Sequence, residues 1–389
     1  MVTLASADNA LKTLYLDVVA NQLNTSVNPL LAKIQQTTSN VWGNEIRKLA
    51  PFGINGGIGA GSEDGELPQA NSNNYAQFVL TLKNLYGTIE ISDKAIRASQ
   101  DNSGAFVNLL EAEMEGLLRA SKFNIGRMLY GDGSGILCTA GSLIDNNVIY
   151  VDSVRNVMEG MLVDVISNTS HTPIVTSRPI VYVDVDDESI TLGGAPIPLG
   201  TISSNDFITI QGSYNKELTG LGALFGKSET LYGLKRSSYR WLNPYYSNVS
   251  KVTDVDIQRA VDHIEEYAGS AVDFIVCSSG VKRTYQDYLV TNRTNIDVMN
   301  LQGGYKAISF NGIPVVSDRF VPYGKMYILN TSDFHMHQLC DWRWLEDDCG
   351  RVIKQVPNKP VYNATLVKYA ELVCDRPMGQ AVLSNISES

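Results

Sequence analysis

Residues 129–135 read LYGDGSG and follow a run, 103–130, whose apolar residues recur at helical spacing. The stretch is either a loop that cradles phosphate or the stop signal of a helix. A phosphate loop needs G-x-x-x-x-G-K-[ST] between a strand and a helix N-terminus, where free N–H groups point at the anion. Here the glycines follow a helix C-terminus, where carbonyls point outward and the dipole repels anions. No lysine follows, and Ile136 stands where the G-x-G-x-x-G fingerprint needs its third glycine. Gly131 or Gly133 in a left-handed C-terminal cap accounts for the residues without any ligand. The stretch reads as a helix stop. The helix before it, with Phe106, Leu110, Met114, Leu117, Ile125 and Met128 on one stripe, is a rod about 40 Å long at 1.5 Å per residue. Ser99, Asp101 and Ser103 are its N-cap candidates.

A chain of 389 residues with 44% hydrophobic and 19% charged residues is neither disordered nor fibrous, and has length for two or three domains. No apolar run approaches the roughly 18 residues of a membrane span, and residues 1–15 lack the pattern of a secretory signal. Five scattered cysteines without a CxxC point to reduced thiols in a cytosolic setting rather than a disulfide framework. The net charge of −10 argues against high-affinity nucleic-acid binding as a default. Much of it is local, since residues 150–213 carry eight acidic side chains against two basic ones.

Upstream of the rod, 8–23 has a broad apolar face (Leu11, Leu14, Tyr15, Val18, Val19, Leu23), and a second helical piece is expected after Asn28-Pro29. Next, VWGNEIRKLAPF and FVLTLKNLYGTIEIS read as two strands. They flank about 25 residues of Gly, Asn, Ser and acid, a length of loop that is uncommon and usually functional. Two strands with such a tip make a projecting hairpin. An isolated hairpin is marginal in water, so this one requires a covering surface, expected from another subunit. Downstream, 148–212 switches to period two in VIYVD, MLVDVIS, PIVYVDVD, SITL and DFITI, the pattern of a small antiparallel barrel or sandwich. The pattern then turns α/β: helices over 254–268 and 279–290, strands in DFIVCS, SFNGIPVVSD and KMYILN, and long strands towards the C-terminus.

Candidate chemistry is sparse. His335, His337 and Cys340 in HMHQLC offer imidazole and thiolate, yet at a spacing that fits no standard structural zinc module. Asp184, Asp186, Asp187 and Glu188 lack the glycine and glutamate of an EF-hand loop and read as a solvated turn. LKRSSYRWLNPYY interleaves Lys235, Arg236 and Arg240 with aromatic residues, which suits either phosphate and base contacts or a packed subunit contact. There is no GxSxG and no HExxH, and the chain has only four histidines.

The order of parts is more specific than any motif. An arm, a long hairpin, a rod ending in LYGDGSGIL, then GLGALF, FNGIPVVSDRFVPYGKMYILNTSDF and YNATLVKYAELVCDRP resembles the major capsid proteins of tailed bacteriophages with the Hong Kong 97-type fold. The resemblance covers nearly the whole chain except the β insertion. It implies an α+β capsid fold with an N-terminal arm (1–40), an extended loop (41–92), and a spine helix with peripheral domain (93–149). An inserted β domain (150–213), a return to the peripheral domain (214–252), an α/β axial domain (253–340) and C-terminal strands (341–389) complete it. It further implies a non-enzymatic shell subunit without cofactor, found in the virion and assembled in the bacterial cytoplasm. Its partners would be identical subunits in pentamers and hexamers, portal and scaffolding proteins, decoration proteins, and double-stranded DNA held non-specifically, with no membrane.

On this reading Leu14, Val18, Trp42, Phe52 and Ile54 are candidates for subunit contact, as are Ile58, Leu67, Tyr75, Phe78 and Trp241; Lys235, Arg236 and Arg240 are candidates for facing DNA. Two departures stand out. Some members weld their shells through a lysine in the extended loop, and 49–82 contains none. The arm is also too short to include a scaffolding segment, so a separate scaffolding protein is expected unless the chain is already a processed product beginning at a new methionine. The acidic insertion is expected on the outer face. The alternatives are an encapsulin-like compartment shell and a metal-dependent enzyme built on the His335/His337/Cys340 strand.

Overall fold

The computed structural model describes residues 22–23, 28–94, 103–145, 147–292, 298–300 and 306–388. Most of the amphipathic 8–23 stretch, including Leu14 and Val18, lies outside them, as do Ser99 and Asp101. The chain forms two compact units, one of residues up to 123 together with 223–389, the other of 124–222.

In the first unit, the short strands β1 (Gln35–Thr37) and β2 (Val41–Trp42) lead into the hairpin β3 (Glu45–Phe52) and β4 (Asn74–Thr81), followed by β5 (Lys83–Ser92). The expected second strand of the hairpin is two strands, because the chain breaks at Leu82 and changes sheets. β4 pairs with β3, whereas β5 joins the long C-terminal strand described below. The spine helix α1 (Ser103–Met128) buries Met114 and sets Leu117 on β5. A Cβ on Gly87 would lie 2.7 Å from Leu117 Cδ1, so glycine is what permits so close a helix-to-strand approach.

The second unit contains the end of α1 and six strands: β6 (Ile136–Asp145), β7 (Val148–Val151), β8 (Leu162–Ile166), β9 (Pro173–Asp184), β10 (Ser189–Leu192) and β11 (Phe207–Ile210). They close into a barrel in the order β10-β7-β6-β11-β8-β9 around Ile149, Val163, Val165, Ile180, Ile190 and Ile208. The barrel begins at Ile136, not at residue 150. Its acidity is partly structural. Asp164 accepts the N–H groups of Ser177 (2.8 Å) and Gly212 (2.7 Å), and Asp206 those of Asn168 (2.9 Å) and Ser203 (2.7 Å). The Asp184 cluster is a turn, where Asp184 Oδ1 accepts from Asp186 N and Asp187 N at 3.0 and 3.1 Å.

LYGDGSG ends α1 as a stop. Tyr130 N–H and Gly131 N–H bond back to the carbonyls of Arg127 and Met128, and Leu221 N–H, from the GLGALF segment, donates to Leu129 O at 2.8 Å. The left-handed conformation falls to Gly133 (φ +88°) and Gly135 (φ +77°). Gly220 lies so close that a Cβ there would meet the carbonyl oxygens of Met128 and Leu129 at 2.4 Å. Beside this joint Arg127 forms a buried two-pronged ion pair with Glu217, at 2.9 and 2.6 Å.

The first unit resumes with α2 (Leu221–Leu224), which straddles the division, then a ribbon of β12 (Thr230–Leu231) and β13 (Leu234–Lys235), and β14 (Tyr245–Asn248). α3 (Asp254–Ala268) and β15 (Phe274–Cys277) follow, then α4 (Ser279–Thr291), β16 (Val298–Asn300), β17 (Lys306–Phe310), β18 (Ile313–Ser317) and β19 (Met326–Leu329). β20 (Phe334–Trp344), β21 (Lys354–Gln355), β22 (Val361–Cys374) and β23 (Ala381–Ser384) complete the chain.

A seven-stranded sheet, β14-β23-β19-β15-β18-β17-β16, has β15, β19 and β23 buried along their whole length, the signature of strands covered on both faces. Ile257, Ala260 and Ile264 of α3 and Val281, Tyr285 and Leu289 of α4 supply the cover. α3 starts at a Thr253–Asp256 capping box and ends at left-handed Gly269. A second sheet orders β1-β20-β22-β21, with β5 also on β22.

Candidate subunit-contact surface

The hairpin is the feature whose side chains are least accounted for within the chain. β3 and β4 run in register from Glu45↔Thr81 to Phe52↔Asn74. Their burial alternates: Ile46, Ala50, Ala76, Phe78 and Leu80 are buried, whereas Arg47, Leu49, Pro51, Tyr75, Gln77 and Val79 are exposed. Arg47 N–H donates outward to Asn40 O, and Val79 N–H outward to Tyr232 O. Pro51 has the same parity as Arg47, so a residue with no N–H to donate sits on the outer edge of β3, a device that blunts unwanted strand pairing.

The base of the hairpin is fixed by long-range contacts. Lys48 Nζ pairs with Asp375 at 2.6 Å, and His335 Nδ1 lies 3.2 Å from the same carboxylate oxygen. An aromatic cluster adds to this: Trp241 stacks on Phe52 (5.9 Å, 16°) and tilts against Phe78 (5.6 Å), which meets Tyr232 edge-on at 5.1 Å. Phe78 is fully buried. Phe78, Phe52 and Trp241, expected at a subunit contact, are therefore engaged inside the chain as the hairpin's anchor.

Beyond Phe52 the tip, 53–73, has a different character. Ile54, Ile58 and Leu67 are 86%, 89% and 88% exposed. Tyr75 and Trp42, nearer the base, are 57% and 70% exposed. The tip holds Glu63, Asp64 and Glu66 and no basic residue. Its backbone is ordered by local polar contacts, among them Asn55 Nδ2 to Asn73 Oδ1 (3.1 Å) and Gly57 N–H to Asn55 Oδ1 (2.9 Å). Three large aliphatic side chains thus stand in solvent on one extended element.

No family model and no curated relative matches the sequence. Solved structures do. The capsid asymmetric unit of cyanophage A-1(L) aligns over 96% of this chain and 93% of that chain, at 14% identity and a TM-score of 0.51. The chain has the Hong Kong 97-type capsid fold. Matches of lower TM-score include the holo-SrpI encapsulin complex of Synechococcus elongatus (0.46, 10% identity, 96% of each chain) and the capsid of a native GTA particle (0.44, 12% identity, 95% and 91%).

Within the Hong Kong 97-type fold the remaining candidates sort by geometry. Arg236 is buried, and its guanidinium donates to the carbonyls of Leu242 (2.9 Å), Ala223 (2.8 Å) and Leu224 (2.8 Å). Arg236, a candidate for facing DNA, is thus spent inside the chain, where it pins a loop. Lys235 is exposed, 4.0 Å from Glu229, and Arg240 lies over the Tyr267 ring at 5.7 Å.

His335 and His337 come together on β20 with ring centroids 6.2 Å apart. His337 Nδ1 donates to Ser39 O at 2.8 Å, which ties the β1 segment to the sheet. Cys340 is displaced from them by a register shift after Gln338. Among the described residues no group of three or more His, Cys, Asp or Glu could hold a metal ion.

Burial pushes the His337 pKa below the usual 6.5, opposed by the Ser39 hydrogen bond; Lys48 and His335 push the same way as burial, and Asp375 against it. A folded-state pKa below the unfolded one means that the unfolded chain binds the extra proton first. The stability contributed by neutral His337 is thus complete well above pH 6.5 and is lost as pH falls through and below it. His337→Gln is expected to flatten the fall in melting temperature between pH 7 and pH 5. An unchanged pH profile would show that His337 does not carry it.

Proposed function

We propose that the protein is the major capsid protein of a tailed phage, a structural and non-enzymatic subunit that self-assembles into the shell enclosing double-stranded DNA. The observation that carries the reading is the hairpin tip: three aliphatic side chains nearly as exposed as in an unfolded chain, on an element whose base is anchored by an ion pair and an aromatic cluster. Such a surface is explained when an identical copy covers it, and a projection on one copy meeting another site on the next is a heterologous contact, which closes into rings. Rings of five and six, portal and scaffolding proteins, and a location in the virion belong to the same reading.

Electron microscopy of the purified protein, with nucleic-acid content measured on the same particles, tests it. Closed shells holding double-stranded DNA from the native source are the expected result. Shells that hold protein and no DNA would favour a compartment of the encapsulin kind, and a chain that stays monomeric at high concentration would end both readings.

A further inference from the structure

The barrel carries three aromatic side chains on its outside, away from its core. Phe207 opens β11, and Ile208 after it packs in the barrel core, so strand alternation turns the Phe207 ring outward. His171 sits in the turn from β8 to β9, a loop closed by Ser167 N–H to Thr172 O and His171 N–H to Ser167 O, each at 2.9 Å. Its φ of +55° is uncommon for a residue with a side chain. Tyr214 comes shortly after β11. His171 is exposed, and Phe207 and Tyr214 are half-buried.

The three ring centroids lie 6.3 Å apart in every pairing, with planes 13–21° from parallel. His171 Nδ1 is 2.9 Å from Tyr214 Oη. A ring nitrogen bonds along its own plane, and a phenol oxygen lies in the plane of its ring. Two rings 13° apart that are joined in this way lie edge to edge and make one flat surface two rings wide. Phe207, aligned with both, holds the third corner.

The surroundings are polar and carry no excess of positive charge. Ser170 and Thr172 flank His171, their hydroxyls 2.7 Å apart, and Ser213 and Asn215 flank Tyr214. Within two residues of the three rings the charged side chains are Asp206 and Lys216, one of each sign. Asp164, which accepts from Gly212 N–H, adds a further negative charge, so the setting does not favour a phosphate. A flat aromatic face suits a ring with C–H groups on one side and hydroxyls at its rim. The C–H hydrogens meet the negative faces of the aromatic rings, and the hydroxyls meet serine, threonine and asparagine.

We infer that Phe207, His171 and Tyr214 form a binding site for a pyranose ring of a neutral polysaccharide. The site is complete within the barrel and does not depend on the shell reading.

The test is saturation-transfer NMR, run as a titration, between the full chain and cellohexaose, maltohexaose or galactohexaose, neutral oligomers whose rings present different C–H faces. At least one of them is expected to receive saturation from the aromatic protons. One aromatic contact contributes about two- to tenfold in affinity, so His171→Asn with Tyr214→Ala should weaken binding about tenfold or more. Asparagine tolerates the left-handed backbone at 171, so the loop keeps its shape. Tyr214→Ala alone, which serves if the double variant fails to fold, should weaken binding about threefold, whereas Tyr214→Phe keeps the ring and most of the affinity. Tyr182→Ala, which removes an exposed tyrosine near the other end of β9, should change nothing.

No transfer to any of the three sugars, a folded double or single alanine variant that binds as the parent does, or a loss from Tyr182→Ala would each overturn the assignment. A thymidine oligonucleotide that binds through the same rings while no sugar does would overturn it in favour of base stacking. None of these outcomes touches the shell reading, which particle microscopy tests separately.

Discussion

Replacing residues 53–73 with Asn-Gly is expected to leave a subunit that folds and, on the proposed shell reading, no longer closes into shells. Phe52 and Asn74 are directly opposed in the ladder, so a two-residue turn joins them without disturbing the register, and Asn-Gly is the sequence such turns favour. The anchor of Lys48, Phe52, Phe78 and Trp241 remains, so the melting temperature should stay close to that of the parent. What is lost is Ile54, Ile58 and Leu67. Fully burying each at a contact contributes about 1.5–3 kcal/mol, and a loss of even ~5 kcal/mol lowers a pairwise association constant by more than a thousandfold. Because a shell repeats that loss at every subunit, sedimentation should find no closed particles. Intact shells from this deletion would refute the role given to the tip.

Arg127→Ala is expected to destabilise the 124–222 unit by about 3–5 kcal/mol, the cost of leaving one member of a buried ion pair without its partner. Both side chains are buried, at 6% and 4% exposure, so solvent cannot take over the orphaned Glu217 carboxylate. The same change should appear as a fall in melting temperature on the order of 10 °C. Replacing both members, with Arg127→Met and Glu217→Leu, should recover most of the loss, since a well-packed apolar pair is often as stable as a buried ionic one. A single variant within about 1 kcal/mol of the parent would show that the pair is not held as described.

The sequence was most legible where local chemistry dictates structure. LYGDGSG ends a helix because glycine and a closing turn suffice, and 254–268 is a helix because Thr253 and Asp256 cap it and Gly269 stops it. β3 and β4 could be read because strict alternation separates their buried and exposed faces.

Where the reading fell short, the missing information was non-local. β6 gives no strand signal in the sequence because register shifts between Ala140 and Leu143 and again before Asp145 break the period-two pattern in ILCTAGSLID. Phe52, Phe78 and Trp241 look like any exposed aromatics until residues nearly two hundred positions apart in the chain meet. Arg236 carried no signal of its role, since its acceptors are backbone carbonyls, which every residue type supplies. The loop at the hairpin's end was recognisable from composition alone, yet only the register of the ladder fixed where the strands stop and the tip begins.

The barrel has one more property with a historical meaning. Its first strand, β6, lies beside its last, β11, and just outside them Asn215 N–H donates to Ser134 O at 2.8 Å. The polypeptide thus departs and comes back through a single doorway. A module attached in this way can be acquired, discarded or traded between lineages without redrawing the path of the chain on either side, so ancestry traced through the strands outside the barrel and ancestry traced through the barrel need not agree.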